Sequence, residues 1–206
     1  MAAFSEMTVR QLLDALASPN PTPGGGTASA IAGAMGTSLL IMVTGLAKSR
    51  NNTDEEKGAL AAARDALTPL TTHLTELADA DTHAFDRVMA AYRLPKNSDD
   101  EKSARTQAIQ TALQGATTVP LDTLRGCADA LRHARTVAEF GNRSAASDAG
   151  VAVSLLKAAA AGAHANVQIN LDGIKDEAFK TTTAGEAGRL MSAVATDAAA
   201  AMQQLT

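Results

Sequence analysis

Residues 28–47, "ASAIAGAMGTSLLIMVTGLA", carry no charge and consist mainly of alanine, glycine, serine and threonine, with scattered aliphatic side chains. No other segment limits the fold as strongly. The run has no proline and predicts a helix, yet Gly33, Gly36 and Gly45 each weaken an exposed helix by about 1 kcal/mol relative to alanine. Such a helix is stable where neighbours pack tightly against it. Its length suits a bilayer span, but alanine and glycine contribute little transfer energy and no second span accompanies it. The expectation is therefore a buried central helix in a bundle, with no membrane partner.

The approach to this helix is unusual. "PNPTPGGG" stiffens the chain with Pro19, Pro21 and Pro23 and then releases it at Gly24, Gly25 and Gly26. A plain inter-helix turn needs one glycine, so three in succession predict that something approaches the backbone closely there. Bare N–H groups at a helix start could face water, a carbonyl or a carboxylate. A tight bend between crossing helices, or a contact between subunits, is the structural alternative.

The rest of the chain supports an all-α class. Hydrophobic residues make up 46% of the sequence and aromatic residues only 2%, so the core must be aliphatic and small, which suits helices better than strands. The 206 residues suit a single domain, 1–206. A net charge of -4 with interspersed signs argues against a nucleic-acid surface. The lone Cys127 allows no internal disulfide and reads as a small buried residue. The N-terminus lacks the basic and apolar regions of a signal peptide, so a cytoplasmic location is expected. The four histidines have no metal-ligand spacing, and no metal is expected.

Capping boxes at Thr8/Gln11, Thr53/Glu56 and Ser98/Glu101 open three helices. Pro69 is expected to kink or divide the long helix that ends near Ala91, and Val119-Pro120 to interrupt the one after it. Gly141 occupies the place of a C′ residue and Ser147 or Asp148 that of an N-cap, with helices over 149–164 and from Asp176 onward. The count is about seven helices, with the second running from Thr27 or Ser29 to Lys48.

Read together, "PTPGGGTASAIAGAMG", "MVTGLAKSR", "DTHAFDRVMAAYRLPK", "VPL", "FGNRSAASDAGVA" and "GAHANVQINL" resemble the cyclodeaminase/cyclohydrolase family of folate enzymes over nearly the whole chain. The resemblance implies a helical subunit that forms a homodimer or larger homo-oligomer and a site for a folate substrate. It implies either hydrolysis of 5,10-methenyltetrahydrofolate to 10-formyltetrahydrofolate or expulsion of ammonia from 5-formiminotetrahydrofolate. A formiminotransferase domain does not fit in this length, which favours the cyclohydrolase. A folate-binding helical protein without turnover is the alternative from another class. No cofactor is expected, because the amidinium-like methenyl carbon is already electrophilic. The chemistry needs an acid–base group, hydrogen bonds to the pterin and cations for the glutamate tail.

Candidates follow from the motifs. Lys48 is a proton shuttle if desolvated, or a solvated lysine at a helix C-terminus. Asp148 faces the substrate cation or caps its helix. Asp81, on an apolar stripe one turn before Phe85, needs either an arginine partner or a purpose. Asn142, Asn166 and Asn170 suit pterin donors and acceptors, the last two sharing a face if the helix continues; capping is their plain role. Gly24, Gly25 and Gly26 would let the pterin lie against the backbone. Arg93 and Lys96 would meet the glutamate tail, or are ordinary surface charge.

Overall fold

The computed structural model describes residues 4–46 and 52–205. After a short 3₁₀ turn at Phe4–Glu6 come six α-helices: α1 (Val9–Leu16), α2 (Gly25–Gly45), α3 (Asp54–Tyr92), α4 (Asp99–Phe140), α5 (Ala146–Leu171) and α6 (Glu177–Gln203). A second 3₁₀ turn, Arg143–Ala145, leads directly into α5. There is no strand among the described residues.

The predicted caps form. Thr8, Thr53 and Ser98 each accept from the backbone N–H three residues on, and Gln11, Glu56 and Glu101 reach back to the cap residue. Asp176 caps α6 through the N–H of Phe179. The helix starts at Gly24 and Ala145 have no side-chain cap of their own.

Helix α2 is the centre of the bundle, packed by α3, α4 and α5. Its small residues permit this: a Cβ added at Gly36 would lie 2.8 Å from Leu156 Cγ and 2.9 Å from the Ala152 carbonyl of α5. Leu40, Leu67, Leu74, Leu124, Leu131 and Leu156 fill the core from four helices and are essentially inaccessible to solvent. One stripe of α2 stays open, with Met35 54% and Met42 39% exposed. The helix has the length and hydropathy of a membrane span, but its other faces are buried inside the bundle.

The two prolines do not break their helices, which corrects the predicted count from about seven to six. Pro69 lies inside α3 and Pro120 inside α4. Packing against neighbouring helices holds both together across the missing hydrogen bond. Helix α5 also begins earlier and ends later than predicted. Asn142 accepts from the Ser144 N–H and caps the 3₁₀ turn, so the chain is already helical at Ala146 and continues to Leu171. Asp148 is consequently inside the first turn and is not the N-cap. Gly141 ends α4 with an extended backbone, φ -67°, not a left-handed one. Helix α2 starts two residues before Thr27 and ends at Gly45.

Candidate active site

A cavity of about 270 Å³ opens where the glycine segment meets the middle of the bundle. Gly24, Gly25 and Gly26 form one wall; Asp81, Phe85 and Val88 enter from α3, Leu113 and Ala116 from α4, and Asn166 and Asn170 from α5. Six of the sequence-predicted site residues thus meet in one place. Among the described residues lining the cavity, Asp81 is the only ionisable one.

Asp81 is half-buried and has no arginine partner among the described residues; it is held by Thr27. The Thr27 hydroxyl lies 3.1 Å from Asp81 Oδ2, and the Thr27 backbone N–H also supports the carboxylate. The side chain from α3 therefore supplies the cap that Gly24 cannot give to α2. Burial pushes the Asp81 carboxyl above its ordinary value, and the hydrogen bonds from Thr27 oppose that shift without cancelling it. Its proton affinity therefore exceeds that of a solvated aspartate, the direction that suits an acid–base group.

This geometry also accounts for Gly26. A Cβ there would overlap the Asp81 carboxylate, so the close approach predicted for the glycine run is made at Gly26 by the protein's own acid. At Gly25 the nearest atom to an added Cβ would be Asn166 Nδ2 at 3.7 Å, and at Gly24 the Pro21 carbonyl at 3.6 Å, both ordinary contacts. These two glycines keep the cavity wall bare.

The asparagines have fixed orientations. Asn166 Nδ2 donates to the Gly162 carbonyl at 2.9 Å, and Asn170 Nδ2 donates to the Ala116 carbonyl at 2.9 Å. A carbonyl only accepts, so in each side chain the amide nitrogen must be the atom that faces it. The Oδ1 atoms are thereby left as acceptors. Pro120 takes part in this arrangement: without an N–H it cannot donate to Ala116, four residues back, and that carbonyl is free for Asn170. The proline predicted as a helix break instead positions a cavity residue.

The remaining candidates lie elsewhere. Asn142 lines a different cavity, of about 460 Å³, with Val43 and Leu205, and Asp148 lines neither. From Gly26 to Val43 the rise of α2 is about 25 Å, so this end of the bundle is remote from Asp81 within one subunit. Arg93 caps the C-terminus of α3 and Lys96 follows in the loop; both are exposed and neither lines the cavity. Arg93 lies about 7–8 Å of helix rise beyond Val88. Lys48 falls outside the described residues. Cys127 is wholly buried, its thiol pushed up to about 12 by burial, and is a core residue. No cluster of potential metal ligands occurs among the described residues. Sequence reasoning read Thr27 only as a helix start; its pairing with a residue 54 positions away leaves no local signature.

The cavity thus brings together one carboxyl of raised proton affinity, two oriented amide acceptors and a bare backbone wall within a helical bundle. Residues 8–189 match the family model described as formiminotransferase-cyclodeaminase, and the chain belongs to that family. It is 45% identical over 172 residues to a methenyltetrahydrofolate cyclohydrolase of Methylorubrum extorquens, covering 84% of this chain and 83% of the relative. It is 30% identical to the formimidoyltransferase-cyclodeaminase of Rattus norvegicus over 97% of this chain, which spans 37% of that longer protein. The crystal structure of a formiminotetrahydrofolate cyclodeaminase from Thermotoga maritima superposes with a TM-score of 0.86 at 29% identity, covering 97% of this chain and 96% of that one.

Proposed function

We propose that this chain is an enzyme of one-carbon metabolism that hydrolyses 5,10-methenyltetrahydrofolate to 10-formyltetrahydrofolate at the Asp81 cavity. The observation that carries the reading is a lone acid–base carboxyl set between bare glycine backbone and two fixed acceptors. The substrate's amidinium-like carbon is drawn to a site whose only ionisable group among the described residues is an acid. Asn166 and Asn170 offer their Oδ1 atoms to the N–H groups on the pterin, and Phe85 and Val88 supply an apolar wall. Ionised Asp81 takes a proton from the water that adds to the methenyl carbon. It then returns that proton to N5 as the carbon–N5 bond breaks, and the hydroxyl proton of the adduct leaves to solvent as the formyl group forms. The methenyl carbon is electrophilic as it binds, so this sequence calls on no metal or cofactor.

Arg93 and Lys96 are proposed to meet the glutamate tail beyond the Val88 end of the cavity. Self-association as a homodimer is part of the same reading. The open stripe of α2, with Met35 and Met42, borders an apolar groove also lined by Phe4, Met7 and Leu12. Antiparallel pairing about Met35, at mid-helix, would set the Asn142–Asp148 end of one copy beside the glycine end of the other. Sedimentation at micromolar concentration tests this, and a monomer counts against it. The composition suits a reducing cytoplasm.

The decisive experiment follows the loss of methenyltetrahydrofolate absorbance over the spontaneous rate and identifies the product. Accelerated formation of 10-formyltetrahydrofolate supports the reading. Ammonia release from formiminotetrahydrofolate without methenyl hydrolysis replaces it with the cyclodeaminase, and no turnover of either leaves a folate-binding protein.

A further inference from the structure

The Thr27 side chain is completely buried, and its hydroxyl has two acceptors within reach: Asp81 Oδ2 at 3.1 Å and the Ala78 carbonyl at 3.3 Å. One hydroxyl carries one proton, so it serves one acceptor at a time while its lone pairs remain open to a donor. We propose that Thr27 is a positioning residue for Asp81, turning its hydroxyl between the carboxylate and the Ala78 carbonyl so that both protonation states of the acid are satisfied in place. When Asp81 is ionised, the Thr27 O–H points at Oδ2. When Asp81 takes a proton, its own O–H donates to Thr27 Oγ1 and the Thr27 proton turns to Ala78. No heavy atom has to move, and the proton gained by Asp81 is the one it later gives up.

A second observation fits this arrangement. Thr82 Oγ1 is a buried hydroxyl without a hydrogen-bond partner. On the same helix Thr71 and Thr75 donate to the carbonyls four residues back, which for Thr82 is Ala78, the carbonyl approached by Thr27. When Thr27 turns to ionised Asp81, a rotation of the Thr82 side chain would bring its hydroxyl to that carbonyl, so Thr82 is a reserve donor and not part of the Thr27–Asp81 exchange itself. A buried acid that must act as base and then as acid in one turnover needs such support, because an unpaired charge and an unpaired O–H are both costly in a site of low polarity.

The response belongs to Asp81 and not to a neighbour. Helix α2 has no ionisable side chain. The glycine segment, α4 and α5 present only uncharged residues to the cavity, among them Leu113, Ala116, Asn166 and Asn170.

The proposal rests on Asp81 as the proton-transfer group, and its test does not depend on turnover. Protein labelled with ¹³C at the aspartate carboxyl carbons is titrated by NMR, with the Asp81 signal assigned through Asp81→Asn. Thr27→Val keeps the shape and removes the hydroxyl. Its Asp81 midpoint should rise by about one to two pH units, the effect of losing one hydrogen bond to a charged group, and Thr27→Ser should restore it. Thr27→Ala is read in the same way and carries the test if the valine variant does not fold. In the active enzyme the acid limb of the kcat profile should move up by the same amount, with KM little changed. A midpoint in Thr27→Val equal to the parent's, or a serine variant that behaves like valine, overturns the proposal. If the parent proves not to hydrolyse methenyltetrahydrofolate, the functional reading fails while the titration still decides the Thr27–Asp81 coupling.

Discussion

Adding one methyl group at successive glycines of the 24–26 run should give two distinct outcomes, because only one of these positions faces the acid. No described glycine has a positive φ, so alanine is conformationally allowed at each and only the space for a Cβ matters. At Gly26 that space is occupied by the Asp81 carboxylate. In Gly26→Ala the short Asp81 side chain must swing away and lose its Thr27 bond, worth about 1.5–3 kcal/mol for a charged acceptor. Replacing a helical glycine by alanine returns up to about 1 kcal/mol. The net loss is about 0.5–2 kcal/mol, which in a protein of this size lowers Tm by about 1–8 °C. Misplacing the proton-transfer group should also reduce kcat about 100-fold.

Gly25→Ala is the internal control, with its nearest contact at a comfortable 3.7 Å. Its Tm should match or slightly exceed the parent's, and its added methyl, lying on the cavity wall, should raise KM more than it lowers kcat. Thermal unfolding followed by circular dichroism, with initial rates of methenyltetrahydrofolate hydrolysis on the same preparations, gives both quantities. Equal Tm and equal kcat in the two variants would refute the argument, since Asp81 would then not be seated against the Gly26 backbone.

Pro120→Ala restores a donor to the Ala116 carbonyl, which then competes with the Asn170 amide; stability should hold or rise, while KM rises about 10-fold, as for one lost orienting hydrogen bond. Differential scanning calorimetry and steady-state kinetics measure the two effects. Asp81→Asn should reduce kcat by about 10²–10⁴-fold and yet stabilise the fold at pH 8. The sign follows from the raised carboxyl: its contribution to folding is fully present below the unfolded value and is lost as pH rises through the folded one. The Tm advantage of the variant should therefore shrink toward pH 4, and an advantage independent of pH would contradict the assignment. The same direction requires the parent's kcat to fall as pH drops through the Asp81 midpoint, above the value of a solvated aspartate.

The parts of this structure that were legible in advance rest on local rules. Capping boxes at Thr8, Thr53 and Ser98 bind residues three apart, and Asn166 with Asn170 share a face through the helical period. The errors arose where a local rule met a tertiary contact. Pro120 lacks a donor in any sequence, but whether the helix breaks there depends on its neighbours, and Asn170 takes up the carbonyl that it frees. Asp148 has the composition of an N-cap, yet the Asn142-capped turn had already started the helix. Asp81 was legible as a charge needing a partner, but its partner is a threonine on another helix, 54 residues away.

The small side chains of α2 are therefore as much a requirement of the site as of the core. With no ionisable residue of its own, α2 contributes thinness: its glycines and alanines let α3 and α5 approach from opposite sides until Asp81 and Asn166 both reach its first turn. A bulkier central helix would keep the hydrophobic pattern of a bundle while separating the acid from the acceptors. Thr27 occupies the place where this convergence is tightest, offering its backbone N–H to the carboxylate and its hydroxyl to two acceptors. One carboxyl supported in both protonation states suits proton transfer to a departing amine as well as from an attacking water. On the proposed role of Asp81, that shared requirement would let one helical fold serve both relatives named for hydrolysis and relatives named for deamination.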